Sequence, residues 1–234
     1  MRVDERAIEV AVGQARLRGD LRIPAGARAM VVFAHGSGSS RLSPRNRFVA
    51  DVLFNAGLGT LLIDLLTREE ESVDLQTAEL RFDIPLLAQR LGGVTDWLKN
   101  QPLTSALRIG YFGASTGAAA ALIAAADRPG RVGAIVSRGG RPDLAMPVLG
   151  RVSQPTLLIV GGADELVLDL NRRALTELAG TKELAVVPGA THLFEEPGAL
   201  EQVAMLASGW FRRYLQDDAG PATGRRMRAG KDNE

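Results

Sequence analysis

The stretch LRIGYFGASTGAAAALIAAA at residues 107–126 leaves this chain the fewest ways to fold. It reads as a short apolar strand, a turn, and a helix that opens on small residues. Inside it, Gly113-Ala114-Ser115-Thr116-Gly117 has the form G-x-S-x-G. In a nucleophile elbow of this form the Ser occupies a tight, strained strand-to-helix turn. The two Gly positions are where a side chain would collide with neighbouring backbone. That geometry exposes the hydroxyl and aims the first amides of the helix at whatever it attacks. The competing reading is a Gly-rich turn that lets a helix pack closely on a sheet. Gly makes up 26 of the 234 residues, so the pentapeptide alone decides little. A strand before it and a helix after it are the context that an elbow requires.

The rest of the chain repeats this alternation. Residues 7–12 and 15–23 alternate apolar and polar around Gly13-Gln14, which predicts an antiparallel hairpin with one wet face. Residues 29–34 form a continuous apolar run, as in a strand buried on both faces, and end in the loop His35-Gly-Ser-Gly-Ser-Ser40. Ser43-Pro44 fits an N-cap with Pro at the first helical position, and Gly57 stops the helix that follows. Residues 59–66 read as a buried strand and the acidic residues 67–74 as a loop. A helical pattern covers about 78–98, broken or kinked at Pro85. Beyond the elbow, strands are expected at 132–137, 155–160 and 183–187, with a short helix after the first of them and another at about 168–178. Pro197 is placed to open a final helix reaching Leu215. The pattern predicts an α/β fold: a mostly parallel, doubly wound sheet with helices on both faces, an antiparallel hairpin at one edge, and ligands beyond the C-terminal strand ends. The domain is expected to span 1–216, and the polar, Gly-containing tail 217–234 reads as disordered.

Composition narrows the function. A formal net charge of +1 gives no basic excess to neutralise phosphates, so nucleic acid is not an expected partner. The absence of cysteine excludes disulfides, thiolate metal sites and a Cys nucleophile. The charged start MRVDER lacks the apolar core of a secretory signal, and no run of 18 apolar residues exists to span a membrane. A cytoplasmic protein without membrane contact is the expectation.

A Ser hydroxyl is a poor nucleophile until a base takes its proton, and that base is most often His. The chain has two histidines, His35 and His192. His192 falls in the loop between the last strand and last helix, where the competing reading is a loop histidine satisfied by backbone. Asp164, after the strand at 155–160, is the candidate acid; Glu165 and Asp143 compete, and a turn Asp bonding its own backbone is the plainer alternative. The order Ser115, Asp164, His192 puts all three beyond C-terminal strand ends. Glu195 and Glu196 fit better as acids favouring the start of the last helix. For the developing oxyanion, one donor is the Thr116 N–H. The other is expected from the loop at Gly36-Ser37-Gly38, with Ser37 N–H preferred and Gly38 second. His35 reads as a brace for that loop. A phosphate-cradling role for the loop is weakened because Arg41 stands where G-x-G-x-x-G requires Gly.

The chain resembles the α/β-hydrolase superfamily to about residue 216, and within it dienelactone hydrolase-like proteins, through the motifs HGSGSS, GASTG, GGAD and GATH. The segments LLIDLLT, SRGGRPDLA and ATHLFEEPG are similar to a bacterial branch in which some relatives carry a fused phosphoribosyltransferase domain; no such domain is expected within this sequence. Dienelactone hydrolases proper use Cys where this chain has Ser115, so the resemblance implies the fold and acyl chemistry more than the dienelactone substrate. The 17 or so residues between the strands ending near Ser137 and starting near Pro155 are too few for a large lid, which implies an open site for small or loosely held esters. Arg138 and Arg141 fall on its rim, where they either grip a substrate carboxylate or pair with surface acids such as Asp143. Arg68 and Glu69–Glu71 have the same status, and the acidic triplet reads as a solvated loop rather than a metal site. The expectation is a serine hydrolase of carboxylic esters or lactones needing no cofactor or metal. The other readings are a non-catalytic binding or regulatory module, or an acyltransferase or perhydrolase using the same triad.

Overall fold

A computed structural model of the protein describes residues 3–216. The expected tail, 217–234, lies outside the described residues. The hairpin forms as β1 (Asp4–Val12) and β2 (Ala15–Ile23), with Val12 opposite Ala15 and Gly13 in the left-handed region at φ 58°. That φ is what the two-residue turn requires, and Gly meets it without a Cβ clash. β3 (Ala29–Ala34) is buried at every residue, as its unbroken apolar run predicts. α1 (Pro44–Asn55) starts where Ser43 Oγ accepts the Asn46 N–H, with Pro44 in its first turn. β4 (Gly59–Ile63) is shorter than the expected run: the next residue, Asp64, still donates its N–H to the Arg18 carbonyl, but its carboxylate pairs with Arg41 and Arg18 and the chain turns away after it.

The acidic segment read as a loop is a helix, α2 (Arg68–Thr77). Thr67 Oγ1 accepts the Glu70 N–H while the Glu70 carboxylate accepts the Thr67 N–H. This reciprocal cap, with acids in the first turn of the helix, replaces the apolar stripe that the segment lacks. Pro85 does not kink a long helix. It falls in the first turn of α3 (Ile84–Lys99), capped by Asp83, and a single 3-10 turn (Leu80–Phe82) separates that helix from α2.

β5 (Arg108–Ala114) leads through Ser115 into α4 (Thr116–Ala126), and β6 (Val132–Arg138) follows. A 3-10 run, Pro142–Arg151, fills the link to β7 (Thr156–Gly161), with no larger cap. α5 (Glu165–Glu177) and β8 (Lys182–Val187) complete the wound unit. The last helix, α6 (Ala199–Phe211), begins two residues after Pro197 rather than at it. Gly198, at φ 79°, turns the chain into the helix and so sets its start.

The eight strands order as β1-β2-β4-β3-β5-β6-β7-β8; β1–β2 and β2–β4 pair antiparallel and the others parallel. α1 and α6 cover one face around Val31, Phe33 and Phe112. α3, α4 and α5 cover the other around Val32, Tyr111 and Leu158. Chain order runs outward from β3 to β4, then crosses back to β5 on its other side. The loops after β3 and β5 therefore face one crevice at the C-terminal edge, where open α/β sheets bind ligands.

Candidate active site

Ser115 has φ 51° and ψ −120°, a region that non-glycine residues rarely adopt and that costs about 1–3 kcal/mol. The surroundings enforce it. Ser115 N–H donates to the Arg138 carbonyl at 3.2 Å, and the Ser115 carbonyl accepts from Ala118 and Arg141 N–H at 3.1 Å each. The flanking glycines admit the turn. A Cβ on Gly113 would come 2.7 Å from the Ala118 nitrogen, and one on Gly117 would overlap the Ala34 carbonyl. Gly36 packs in the same way, because its Cβ would stand 3.0 Å from that of Ser115. The loop after β3 thus rests on the elbow with almost no side chain between them.

His192 lies beyond β8, with Asp164 beyond β7, and its Nδ1 is 2.7 Å from Asp164 Oδ2. Their two loops are pressed together: Ala163 N–H donates to the Ala190 carbonyl, and a Cβ on Gly161 would come 2.7 Å from the Thr191 carbonyl. Glu196 braces the turn by accepting from both the N–H and the hydroxyl of Thr191. The Thr191 hydrogen bonds hold its carboxyl below the usual range. Glu195 instead pairs with Arg45 of α1. Both acids are therefore spoken for before the last helix begins. Gly139 lies between the Ser115 and His192 loops; its Cβ would be 3.2 Å from the His192 carbonyl and 3.5 Å from the ring carbon Cε1. Among the described residues no hydrogen bond joins Ser115 Oγ to the imidazole. In ligand-free enzymes that contact is often long and tightens when substrate binds. The competing acids are placed elsewhere: Asp143 is held by Arg141, and Glu165 is exposed at the start of α5.

His35 has the bracing geometry. Its Nε2 accepts the Leu65 N–H, and Nδ1 lies 3.0 Å from the Gly36 carbonyl. Burial pushes its pKa below the ordinary value, so the ring is neutral. Ser37 N–H is not free, because it donates to Thr116 Oγ1 at 2.9 Å. Gly38 is exposed, with φ 69°. Thr116 N–H opens α4, where a helix leaves its first amide without an intrahelical acceptor.

The two rim arginines diverge. Arg141 is closed on Asp143 by two parallel hydrogen bonds of 2.8 Å, so its fork is already filled. Arg138 is 8 % exposed and lies below Phe194 on the α1/α6 face, 5.9 Å from the ring centroid. Its Nε and Nη1 find no acceptor among the described residues. Burial, with the nearby Arg45 charge, lowers its pKa to about 10, and it stays cationic at neutral pH. Neither presents an open fork to a substrate carboxylate. Arg68 and Glu69–Glu71 form the first turn of α2, and no group of three His, Cys, Asp or Glu suited to a metal occurs among the described residues.

A cavity of about 310 Å³ opens beside the β3 loop, lined by Gly36, Ser37, Leu42, Leu66, Leu75 and Arg81. Neither Ser115 nor His192 lines it. Sequence reasoning missed this wall because it treated α2 as a loop; the Thr67-x-x-Glu70 cap was the available signal. No helix among the described residues is long and apolar enough to cross a membrane.

The model of the dienelactone hydrolase family matches residues 17–214. The chain belongs to that family. A crystal structure of a dienelactone hydrolase from Anabaena variabilis is 61 % identical, with a TM-score of 0.90 over 92 % of this chain and all of that one. Two Mycobacterium tuberculosis proteins named "Putative phosphoribosyl transferase" are 59 % identical over 211 residues, or 90 % of this chain and 47 % of theirs. The chain spans about half the length of these curated relatives. Est1E from Butyrivibrio proteoclasticus shares the dienelactone hydrolase-like fold at 15 % identity, with a TM-score of 0.75.

Proposed function

We propose that the protein is a serine hydrolase that cleaves carboxylic esters or lactones. The reading rests on one observation above all: a strained Ser115 at a G-x-S-x-G turn, across Gly139 from a His192 whose Nδ1 is 2.7 Å from Asp164. Asp164 holds the imidazole in the tautomer that leaves Nε2 free to accept a proton. Ser115 Oγ attacks the carbonyl and forms the new C–O bond as His192 takes its proton. His192 returns that proton to the departing alkoxide as the ester C–O bond breaks, leaving an acyl-Ser115. Water, deprotonated by His192, then attacks the acyl carbon, and the Ser115 oxygen leaves with the proton. Thr116 N–H stabilises the charge on the carbonyl oxygen in both halves.

Membership of a family named for a lactone hydrolase supports this class of reaction, with Ser115 in the place of that family's Cys. The short 3-10 link after β6 supports an open site for small or loosely held esters. Because Arg141 is paired and Arg138 is enclosed, no preference for acidic substrates is proposed. The phosphoribosyl transfer for which the M. tuberculosis relatives are named is not assigned to this chain, which covers only half of each. The test is turnover of a short p-nitrophenyl ester. Ser115→Ala is expected to lower kcat by at least about 10³-fold. Equal rates for the two proteins would reject the assignment and favour a non-catalytic module. Capture of the acyl group by an added alcohol or peroxide in preference to water would favour the transferase reading.

A further inference from the structure

We infer that the Thr116 side chain is itself a donor to the oxyanion, and that Ser37 N–H acts through it rather than on the substrate directly; the inference rests on the serine hydrolase reading above. An amide N–H has one proton to give, and that of Ser37 goes to Thr116 Oγ1 at 2.9 Å. Thr116 is 2 % exposed, so the contact is shielded from water.

The loop cannot easily retreat to release it. Gly36 rests on Ser115, Gly117 rests on the carbonyls of Ala34 and His35, and His35 is tied to the Leu65 amide. The hydroxyl, having accepted one hydrogen bond, keeps its own proton, and among the described residues it donates that proton to no partner. Oγ1 and the backbone nitrogen belong to one residue, three bonds apart and one position after Ser115. Two donors can therefore converge from Thr116 alone on an oxygen attached to the carbon that Ser115 attacks. A hydroxyl that accepts from an amide is polarised and donates more strongly. The Ser37 amide thus contributes its dipole through the relay Ser37 N–H to Thr116 Oγ–H to oxyanion, with no proton transferred.

The alternative is that Thr116 swings away on binding and Ser37 N–H donates directly. Val and Ser substitutions separate the two. Thr116→Val keeps the shape and removes the hydroxyl; Thr116→Ser keeps the hydroxyl and removes the methyl. The relay predicts a 10²–10³-fold lower kcat for Thr116→Val, with KM within about threefold, and a kcat near wild type for Thr116→Ser. Stoichiometric labelling of both variants by a fluorophosphonate counts folded sites and excludes misfolding as the cause. A Thr116→Val enzyme with wild-type or higher kcat overturns the inference, as does a Thr116→Ser enzyme as slow as Thr116→Val. If Ser115→Ala also turns over normally, the hydrolase reading itself has failed. If Ser115→Ala is inactive while Thr116→Val is not, only the relay has.

Discussion

Gly117→Ala and Gly209→Ala make the same chemical change in two helices and should shift stability in opposite directions. A Gly within a helix costs about 0.5–1 kcal/mol relative to Ala, because it has more backbone freedom to lose. At Gly209, in α6, an added Cβ meets nothing within 4 Å. That substitution should recover the propensity term and raise stability by about 0.5–1 kcal/mol. At Gly117 the Cβ would overlap the Ala34 carbonyl oxygen and come within 2.5 Å of that of His35. Carbon–oxygen contacts in proteins ordinarily begin at about 3.3 Å. α4 and the end of β3 would have to separate by about 1 Å, and both obstacles are backbone that cannot rotate away. Overpacking of this kind costs about 1–3 kcal/mol or more, which exceeds the propensity gain. Urea unfolding should show Gly117→Ala less stable by about 1–2 kcal/mol and Gly209→Ala more stable. In a domain of this size each kcal/mol moves Tm by about 2–4 °C. Because the obstructed atoms carry the Gly36–Ser37 loop, Gly117→Ala should also lower kcat for the p-nitrophenyl ester by about tenfold or more. A Gly117→Ala protein as stable and as active as wild type would refute the close packing of elbow on loop.

His35 should make stability depend on pH. Its folded pKa lies below the ordinary 6.5 because the ring is desolvated, so the unfolded chain binds the extra proton first on acidification. The stability this secures is fully present well above pH 6.5 and is lost progressively as the pH falls below 6.5 toward the folded pKa; urea midpoints should show that loss in wild type and a flatter profile in His35→Gln. Arg138 is enclosed with Nε and Nη1 unpaired, so Arg138→Met, of similar shape and without charge, should stabilise the fold by about 1–3 kcal/mol in the same assay. A less stable Arg138→Met would show that the guanidinium has a partner that offsets its burial.

The acidic helix α2 and the final helix show where sequence reasoning failed locally. Segment 68–77 has no apolar stripe to register as a helix, and its start is set by two hydrogen bonds between Thr67 and Glu70. Apolar periodicity does not report such a cap, although the T-x-x-E spacing does. Pro197 fits a helix start by propensity, but Gly198, held at φ 79°, makes the turn and delays α6 to Ala199. The hairpin register, the buried β3 and the Ser43-Pro44 start of α1 were legible because each depends on neighbours within a few residues.

By itself the sequence determined the alternation of strands and helices, the Ser115 turn with its two obligatory glycines, and the positions of Asp164 and His192 after β7 and β8. These follow from side-chain volume, backbone freedom and periodicity, all of which act over short stretches of chain. Only the tertiary structure decided which groups meet. It closed Asp143 on Arg141, enclosed Arg138 under Phe194, set Asp164 on His192 across 28 residues, and gave the Ser37 amide to a hydroxyl 79 residues away. Such pairings depend on strand order and on how closely two loops approach. No local propensity encodes either, because both are set by the packing of the whole sheet against its two helical layers.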